Sequence, residues 1–290
     1  MTFYDSSGNS FVRHPNGQVT HYILDDFTDP WDKGEVILLQ HGFSRTAQHW
    51  YHWVPRLARK YRVIRRDLRG HGLSSFPTSS SSTAGEYDYS LNTILEEIVD
   101  LLDQLGIDKV HFLGESTSGM LGIALTAKYP HRLHSLVICS SPTYLPQQAL
   151  NSFAFGLPSF PEALRTLGSR GWAEAMSNSK GTVTSFVPGY VTWWIDQVAV
   201  SNSEGLAGYA DFLSKLDVRP FISAVKLPMF ILAPMNSAVI QVADMELLVS
   251  QIEGAKMEVI DAPGHEIYTS GAEKCQTSAL GFWQSLKVAE

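Results

Sequence analysis

The chain has 290 residues, of which 44% are hydrophobic, and a formal net charge of −7. This length can bury a large core, either as one α/β domain or as a domain with an insertion. The acidic balance without a basic stripe argues against a nucleic-acid partner, and no apolar run approaches the length of a membrane span. The N-terminus is polar and lacks the apolar region of a secretion signal, so we expect a cytoplasmic protein.

The first third of the chain alternates short apolar runs with turns. Strands are predicted at residues 10–14, 18–24, 35–40 and 61–67. The pair Asn16-Gly17 between the first two strands is a hairpin signal. The apolar spacing over 50–60 predicts a helix, and the serine-rich stretch 78–85 is typical of a solvated linker.

The middle of the chain continues this alternation. Ser90 is a suitable N-cap for a helix over 91–105, which Gly106 ends. An apolar strand from Val110 then leads through a turn of small residues into a helix, and another strand follows at 135–139.

The alternation breaks over residues 140–225, a segment with several prolines and many aromatic side chains. It returns with strands at 229–233 and 257–260 and helices at 242–252 and 273–286. Strands that alternate with helices predict an α/β fold whose mostly parallel central sheet is covered on both faces. We expect a core of residues 1–139 and 226–290, with 140–225 inserted at the C-terminal edge of the sheet, where such sheets bind ligands.

The run GESTSG at residues 114–119 is the first chemical signal. A strand that ends in Gly-x-Ser and continues as a helix is typical of a nucleophile elbow, in which Ser116 occupies a strained turn. Small residues two positions before and after the serine are needed because neighbouring backbone passes close by, and Ser118 is still small. A buried strand that enters a helix through an ordinary polar turn gives a similar pattern.

A serine hydroxyl needs a base within hydrogen-bond reach. Enzymes with this elbow place the serine first, then an acid, then a histidine. His265 lies on a glycine-containing loop after the last predicted strand, where the base is expected, and all other histidines precede that position. An oxyanion also needs two backbone donors, and we predict the N–H groups of Thr117 and Phe43.

Together these residues resemble the α/β-hydrolase superfamily. The motifs follow the family order along nearly the whole chain, with HGF at 41–43, DLRGHG at 67–72, GESTSG at 114–119 and GH at 264–265. The segment 140–225 looks like the family's helical lid, inserted after the sixth strand. The resemblance implies hydrolysis of a carboxylic ester or lactone through an acyl-serine.

Two shorter stretches point to subgroups. The runs DVRP at 217–220 and VKLP at 225–228 are similar to the lid exit of the 3-oxoadipate enol-lactonase-like group. The run STSGM at 116–120 is similar to the elbow of plant strigolactone-type receptor hydrolases.

The acid position departs from the family pattern. An aspartate is expected after the next-to-last strand, but the chain has Asn236 and Ser237 there, with Ser237 in register. Asp244 is nearby but falls in the first turn of the next helix, where the helix dipole accounts for it. We expect a neutral third member, Ser237 or Asn236, that only orients the imidazole. Loss of a triad carboxylate costs about 10⁴ in turnover, so slow catalysis, an activated substrate or no hydrolysis could follow.

Three tryptophans are candidates for substrate binding. Trp193 and Trp194 are adjacent, so on a helix they point about 100° apart and both are hard to bury fully. Trp50 follows the predicted oxyanion loop. Ordinary core packing explains such aromatic residues equally well.

The sequence therefore predicts a serine hydrolase that acts on a small, partly apolar ester or lactone. We expect no cofactor or metal, because the chain has neither a metal-ligand cluster nor a Gly-x-Gly-x-x-Gly run. Two alternatives stay open. The missing acid suggests a hydrolase-shaped receptor that binds its ligand with little turnover, and the same Ser-His site could serve C–C bond hydrolysis or cofactor-free oxygenation.

Overall fold

The computed structural model describes residues 1–32, 34–78, 88–183 and 187–287. Its strands are β1 (Thr2–Tyr4), β2 (Ser10–Arg13), β3 (Val19–Asp25), β4 (Val36–Gln40), β5 (Arg62–Arg66), β6 (Val110–Glu115), β7 (Leu133–Cys139), β8 (Met229–Asn236) and β9 (Lys256–Pro263). They form one sheet in the order β1-β2-β3-β5-β4-β6-β7-β8-β9. All but the first residue of the serine-rich stretch 78–85 lies outside the described residues, so the linker stays a prediction.

The α-helices cover both faces of this sheet. They are α1 (Val54–Leu57), α2 (Leu91–Gln104), α3 (Thr117–Lys128), α4 (Gln147–Phe153), α5 (Phe160–Ser177), α6 (Tyr190–Ala199), α7 (Ser203–Lys215), α8 (Val242–Ser250), α9 (Ile267–Ser270) and α10 (Ala272–Lys287). The helix predicted over 50–60 is broken into a 3-10 turn, Ala47–Trp50, and the short α1. Pro55 in the first turn of α1 has no N–H, so it cannot continue the hydrogen bonding of a preceding helix.

Six strands, from β5 to β9 in sheet order, are parallel, and β1 to β3 extend the sheet antiparallel at one edge. The predicted hairpin is present, with Arg13 paired to Val19 and Gly17 at a φ of 85°. Strand β1 was not predicted, because three residues are too few to show a hydrophobic period. The segment 140–225 therefore follows the seventh strand of the chain rather than the sixth.

The parallel strands are apolar on both faces. Successive residues of β4 alternate between two core clusters, so that Leu38 belongs to the cluster that includes α2, α3 and α8, and Leu39 to the one that includes α1, α9 and α10. Gly122 brings α3 close to the sheet, since a Cβ there would lie 2.6 Å from Cδ1 of Leu136. This tight packing fixes where α3 begins, directly after β6.

Between β7 and β8 the chain leaves the sheet as the inserted segment, residues 140–225, which contains α4 to α7. Its two ends lie side by side, because Tyr144 and Asp217 form an antiparallel bridge and the Val218 N–H donates to the Thr143 carbonyl over 3.0 Å. Helix α5 kinks at Gly168, where φ is 70°. Within the described ranges, none of the helices combines the length and apolar character that crossing a bilayer requires.

Candidate active site

Ser116 stands at a strained turn between β6 and α3. Its backbone has φ 52° and ψ −126°, a conformation that non-glycine residues rarely adopt. A Cβ on Gly114 would lie 2.5 Å from the Ser118 carbonyl oxygen, which explains why only glycine fits there. The turn is thus held by close backbone packing and directs the Ser116 hydroxyl away from the sheet.

His265 lies on the loop that follows β9 and reaches the serine. Its Nε2 is 2.9 Å from the Ser116 Oγ, and both side chains are buried. The backbone N–H of His265 donates to the Thr182 carbonyl of the inserted segment over 3.2 Å. The two residues, 149 positions apart in sequence, therefore have the geometry of a nucleophile and its base.

Ser237 occupies the third position. Its Oγ is 3.0 Å from Nδ1 of His265. The same oxygen accepts the backbone N–H groups of Val239, at 3.0 Å, and Ile240, at 3.3 Å. Because these two donors use both lone pairs of the hydroxyl oxygen, its hydrogen is left to point at Nδ1. This arrangement favours the tautomer with the proton on Nε2, which donates to Ser116 instead of accepting its proton.

The other candidates for the third member lie elsewhere. Asn236 is exposed and donates to Asp261, at 3.0 Å, and to the Ala262 carbonyl, at 3.2 Å. Asp244 accepts the backbone N–H of Gln241 at the start of α8, over 3.2 Å. Its carboxylate is therefore used in capping that helix, as the sequence suggested.

Without a neighbouring acid on Nδ1, His265 is a weak base. Burial and, to a smaller extent, the positive charge of Arg45 together lower the pKa of His265 to about 3. A triad carboxylate would oppose both effects by stabilising the imidazolium. At neutral pH the ring is thus uncharged.

The predicted oxyanion donors flank Ser116. Gly42 lets the chain pass close, since a Cβ there would lie 2.8 Å from the Ser116 Cβ. The Phe43 N–H donates to the Thr117 Oγ1 over 3.1 Å. Thr117 is the first residue of α3, so its N–H belongs to the first turn of that helix. An oxyanion would therefore compete with the Thr117 hydroxyl for the Phe43 N–H.

Three buried charged residues, Arg45, Glu115 and Glu266, lie beside Ser116 and His265. We call them the buried charge cluster. Arg45 donates to Glu266 over 2.8 Å and lies 3.6 Å from Glu115. Glu266 also accepts hydrogen bonds from Tyr190, at 3.0 Å, and Trp194, at 2.9 Å. Burial raises the pKa of Glu115 to about 7, although Arg45 and the Gly42 N–H oppose the rise. Local sequence patterns offer little signal for this cluster beyond a carboxylate within the elbow and another beside His265.

Three histidines beside the loop that carries Phe43 are buried and uncharged. They are His41, His49 and His71, which we call the loop histidines. Burial lowers the pKa of His41 to about 4, that of His71 to about 3 and that of His49 well below its usual range. Asp67 anchors the same region by accepting the Ala47 N–H over 2.6 Å. His71 packs edge-on against Phe43, with the ring centroids 5.4 Å apart, so these residues support the loop that carries Phe43.

A cavity opens above Ser116, with Arg45, Thr117, Thr182 and His265 as its other polar walls. The rest of the lining is apolar and comes from the loop after β4, the inserted segment and the loop after β8. It consists of Phe43, Leu145, Phe153, Phe160, Trp172, Met176, Val183, Leu213 and Val239. Ser116 therefore faces a largely apolar space whose wall comes in large part from the inserted segment.

The alpha/beta hydrolase fold family matches residues 35–272. The chain belongs to the α/β-hydrolase family. Among curated relatives, 3-oxoadipate enol-lactonase 1 of Acinetobacter baylyi is 24% identical over 259 residues, or 88% of this chain and 91% of the relative. The 3-oxoadipate enol-lactonase 2 of Acinetobacter baylyi is 24% identical over 231 residues, which cover 78% of this chain and 80% of the relative.

Solved structures agree on the fold. The enol-lactonase from Burkholderia xenovorans LB400 gives a TM-score of 0.82 at 21% identity and covers 94% of this chain and 99% of that one. A thermophilic esterase from Thermogutta terrifontis gives a TM-score of 0.80 at 21% identity and covers 96% of this chain and 98% of that one. The predicted α/β-hydrolase fold and the resemblance to the enol-lactonase-like group are confirmed, and this α/β-hydrolase lies among hydrolases of the lactonase and esterase type.

The tryptophans predicted to bind substrate lie outside the cavity. Trp50 is fully buried in the core beside Tyr268, at a ring distance of 4.9 Å. Trp194 is also fully buried and donates to the buried charge cluster. Trp193 lines a separate surface cleft and packs on Tyr51, 5.2 Å away. Helical spacing does not reveal which helix of the inserted segment reaches the cavity, whose large indole is Trp172 from α5.

Proposed function

We propose that this α/β-hydrolase cleaves a small, apolar carboxylic ester or lactone through an acyl-serine intermediate. The supporting observation is the contact of 2.9 Å between Ser116 Oγ and His265 Nε2, at the strained elbow and on the floor of an apolar cavity. Ser116 attacks the carbonyl carbon, and His265 accepts the hydroxyl proton and then delivers it to the leaving oxygen. The N–H groups of Phe43 and Thr117 stabilise the oxyanion.

Before His265 can accept the Ser116 proton, its own ring proton must move from Nε2 to Nδ1. In the resting hydrogen bonding, Ser237 favours the Nε2 proton. The productive state therefore requires the Ser237 oxygen to release one of its two backbone N–H groups and accept the Nδ1–H instead. A neutral hydroxyl holds that state with one ordinary hydrogen bond, worth roughly 0.5–1.5 kcal/mol. We therefore expect slow turnover of ordinary esters and faster turnover of activated ones, such as aryl esters or enol-lactones, whose leaving groups need less help from a strong base.

The cavity favours an uncharged substrate. Its cation, Arg45, is already held by Glu266 over 2.8 Å, so it is not free to pair with a substrate carboxylate. The remaining lining is mostly aliphatic and aromatic. Because burial of an unpaired charge is costly, an anionic ester should bind worse than its neutral analogue.

We also propose that the inserted segment, residues 140–225, acts as a lid. It supplies Leu145, Phe153, Trp172 and Met176 to the cavity wall. Its Gly181 and Thr182 carbonyls accept N–H groups from the loops that carry Ser237 and His265, each over 3.2 Å. Substrate choice and the position of the base are thus both linked to this segment.

The test combines labelling with turnover. A fluorophosphonate probe should label the wild-type protein and not Ser116→Ala, and p-nitrophenyl butyrate should be hydrolysed with a burst of acyl-enzyme. Thermal unfolding of Ser116→Ala should match the wild type, which shows that the fold is intact. Turnover that survives in Ser116→Ala would place the nucleophile elsewhere.

A second candidate is a ligand-binding receptor with little turnover. It is favoured by the neutral Ser237 at the acid position and by the Phe43 N–H, which the Thr117 hydroxyl already engages. Under this alternative, the protein binds neutral esters or lactones in the cavity, but neither burst nor steady turnover exceeds the rate of the Ser116→Ala variant. Product analysis with and without oxygen separates ester hydrolysis from C–C bond hydrolysis and from cofactor-free oxygenation.

A further inference from the structure

Glu115, the residue before the nucleophile, is the carboxylate nearest to the base. Its Oε1 lies 3.9 Å from Nε2 of His265, on the side of the ring opposite Ser237. Among the described residues, no other carboxylate oxygen lies within 4.0 Å of a nitrogen of that ring. The side chain is fully buried, so solvent screens the interaction little.

The two oxygens of Glu115 have different surroundings. Oε2 accepts the Gly42 N–H over 2.8 Å and lies 3.6 Å from Arg45, which fixes the carboxyl group. Oε1 has no hydrogen-bond partner within the part of the chain that the structure describes. A buried polar atom without a partner is uncommon and asks for an explanation. Here the atom faces the position where positive charge develops when His265 accepts the Ser116 proton.

We propose that Glu115 supplies the negative charge that the missing triad acid supplies in other enzymes of this kind. It acts from the Nε2 side of His265, through the electric field rather than through a hydrogen bond, and is therefore a positioning residue for the reaction. This inference rests on the proposed function, because it matters only if His265 becomes an imidazolium during catalysis.

The charged state of Glu115 then controls the rate. The groups that face it are Arg45 from the loop after β4, His265, Glu266 and Tyr268 from the segment after β9, and Cys139 from β7. Arg45 favours the carboxylate form of Glu115, whereas burial and Glu266 favour the protonated form. Because burial raises the pKa of Glu115 to about 7, the carboxylate forms as the pH rises through neutrality, and its stabilisation of the His265 imidazolium increases with it.

The experiment measures how fast a fluorophosphonate labels Ser116 between pH 5 and 9, so the natural substrate is not needed. The wild-type rate should rise with an apparent pKa near 7. Glu115→Gln should lose this rise and label about 100-fold more slowly at high pH, a typical effect of removing one group that stabilises the transition state. The glutamine can still accept the Gly42 N–H, so the turn keeps its support.

Two further variants guard against a purely structural explanation. Glu115→Asp keeps the charge at a longer distance and should restore part of the rate together with the rise in pH. Glu266→Gln removes a charge from the same cluster but leaves Glu115 in place, so it should keep the rise and move it to lower pH, because Glu266 no longer favours protonated Glu115. Equal labelling of wild type and Glu115→Gln across the pH range would overturn the inference and leave the proposed function intact. Absence of labelling in the wild type would contradict the proposed function, and the inference would fall with it.

Discussion

Ser237→Asp places a carboxylate where this α/β-hydrolase has a hydroxyl. The Ser237 oxygen is 3.0 Å from Nδ1 of His265 and accepts the N–H groups of Val239 and Ile240. The same two donors can hold an aspartate, so the loop is already arranged for it. Since a carboxylate only accepts hydrogen bonds, the substitution forces the proton onto Nδ1 and leaves Nε2 free to act as the base.

The size of the effect follows from charge and distance. Two unit charges about 4 Å apart at an effective dielectric constant of about 20 attract by about 4 kcal/mol. Ser237 is partly exposed, so solvent reduces this value. A remaining stabilisation of about 1.4 to 2.8 kcal/mol corresponds to a rise in turnover of about tenfold to hundredfold.

The pH dependence changes in a defined direction. The pKa of His265 is lowered to about 3, so the wild-type imidazole is neutral throughout the accessible pH range. A carboxylate beside Nδ1 favours the imidazolium and raises this pKa. In Ser237→Asp, activity on p-nitrophenyl butyrate should therefore be higher above neutrality and fall on the acid side at a pH well above 3.

Matched variants separate charge from shape. Ser237→Asn has nearly the shape of the aspartate without its charge and should give no gain. Ser237→Ala should change turnover by no more than about two- to tenfold, because only one neutral hydrogen bond to Nδ1 is removed from either tautomer. If Ser237→Asp folds normally and turns over no faster than Ser237→Asn, the argument that a missing charge limits this enzyme is refuted.

Three further outcomes follow from the structure. Trp194→Phe removes the hydrogen bond from the indole N–H to Glu266, so the free energy of unfolding measured with urea should fall by about 1–3 kcal/mol. KM should stay unchanged, and a shift in KM would show that Trp194 contributes to substrate binding. Met176→Phe narrows the cavity, so kcat/KM should fall more for an octanoyl than for an acetyl ester, and equal losses would contradict this lining. The loop histidines are neutral when folded but bind protons when unfolded, so the free energy of unfolding should decrease as the pH falls from about 6.5 toward 4. Above pH 4.5, Glu115 makes the free energy of unfolding increase as the pH falls, because its pKa is raised in the folded state. This single group is outweighed by the three loop histidines.

Much of the fold could be predicted from local patterns. The helix capped at Ser90 is present as α2, with the Ser90 hydroxyl accepting the Thr93 N–H over 3.3 Å. The turn at Asn16-Gly17 and the apolar parallel strands were predicted for the same reason. Capping, turn chemistry and hydrophobic period act within a few residues, so the sequence displays them directly.

The positions of Ser116 and His265 were also predictable, although nothing local joins them. The chemistry of the elbow demands small residues around the serine, and the topology of the sheet brings the ends of β6 and β9 to the same edge. A motif and a chain order therefore sufficed to predict that the two side chains lie together. The register across the loop after β8 likewise predicted Ser237 opposite His265.

Only the tertiary structure decided which side chains face the cavity and which charges face the base. Trp50 and Trp194 are of a residue type that often lines binding sites, but both pack in the core. The direction of a side chain depends on how its helix or turn packs against the rest of the protein. Glu115 appears in the sequence as the variable position of the elbow. Its orientation toward His265 results from contacts with Gly42 and Arg45 more than 60 residues away, and electrostatic interactions depend on distances in space that sequence spacing does not contain.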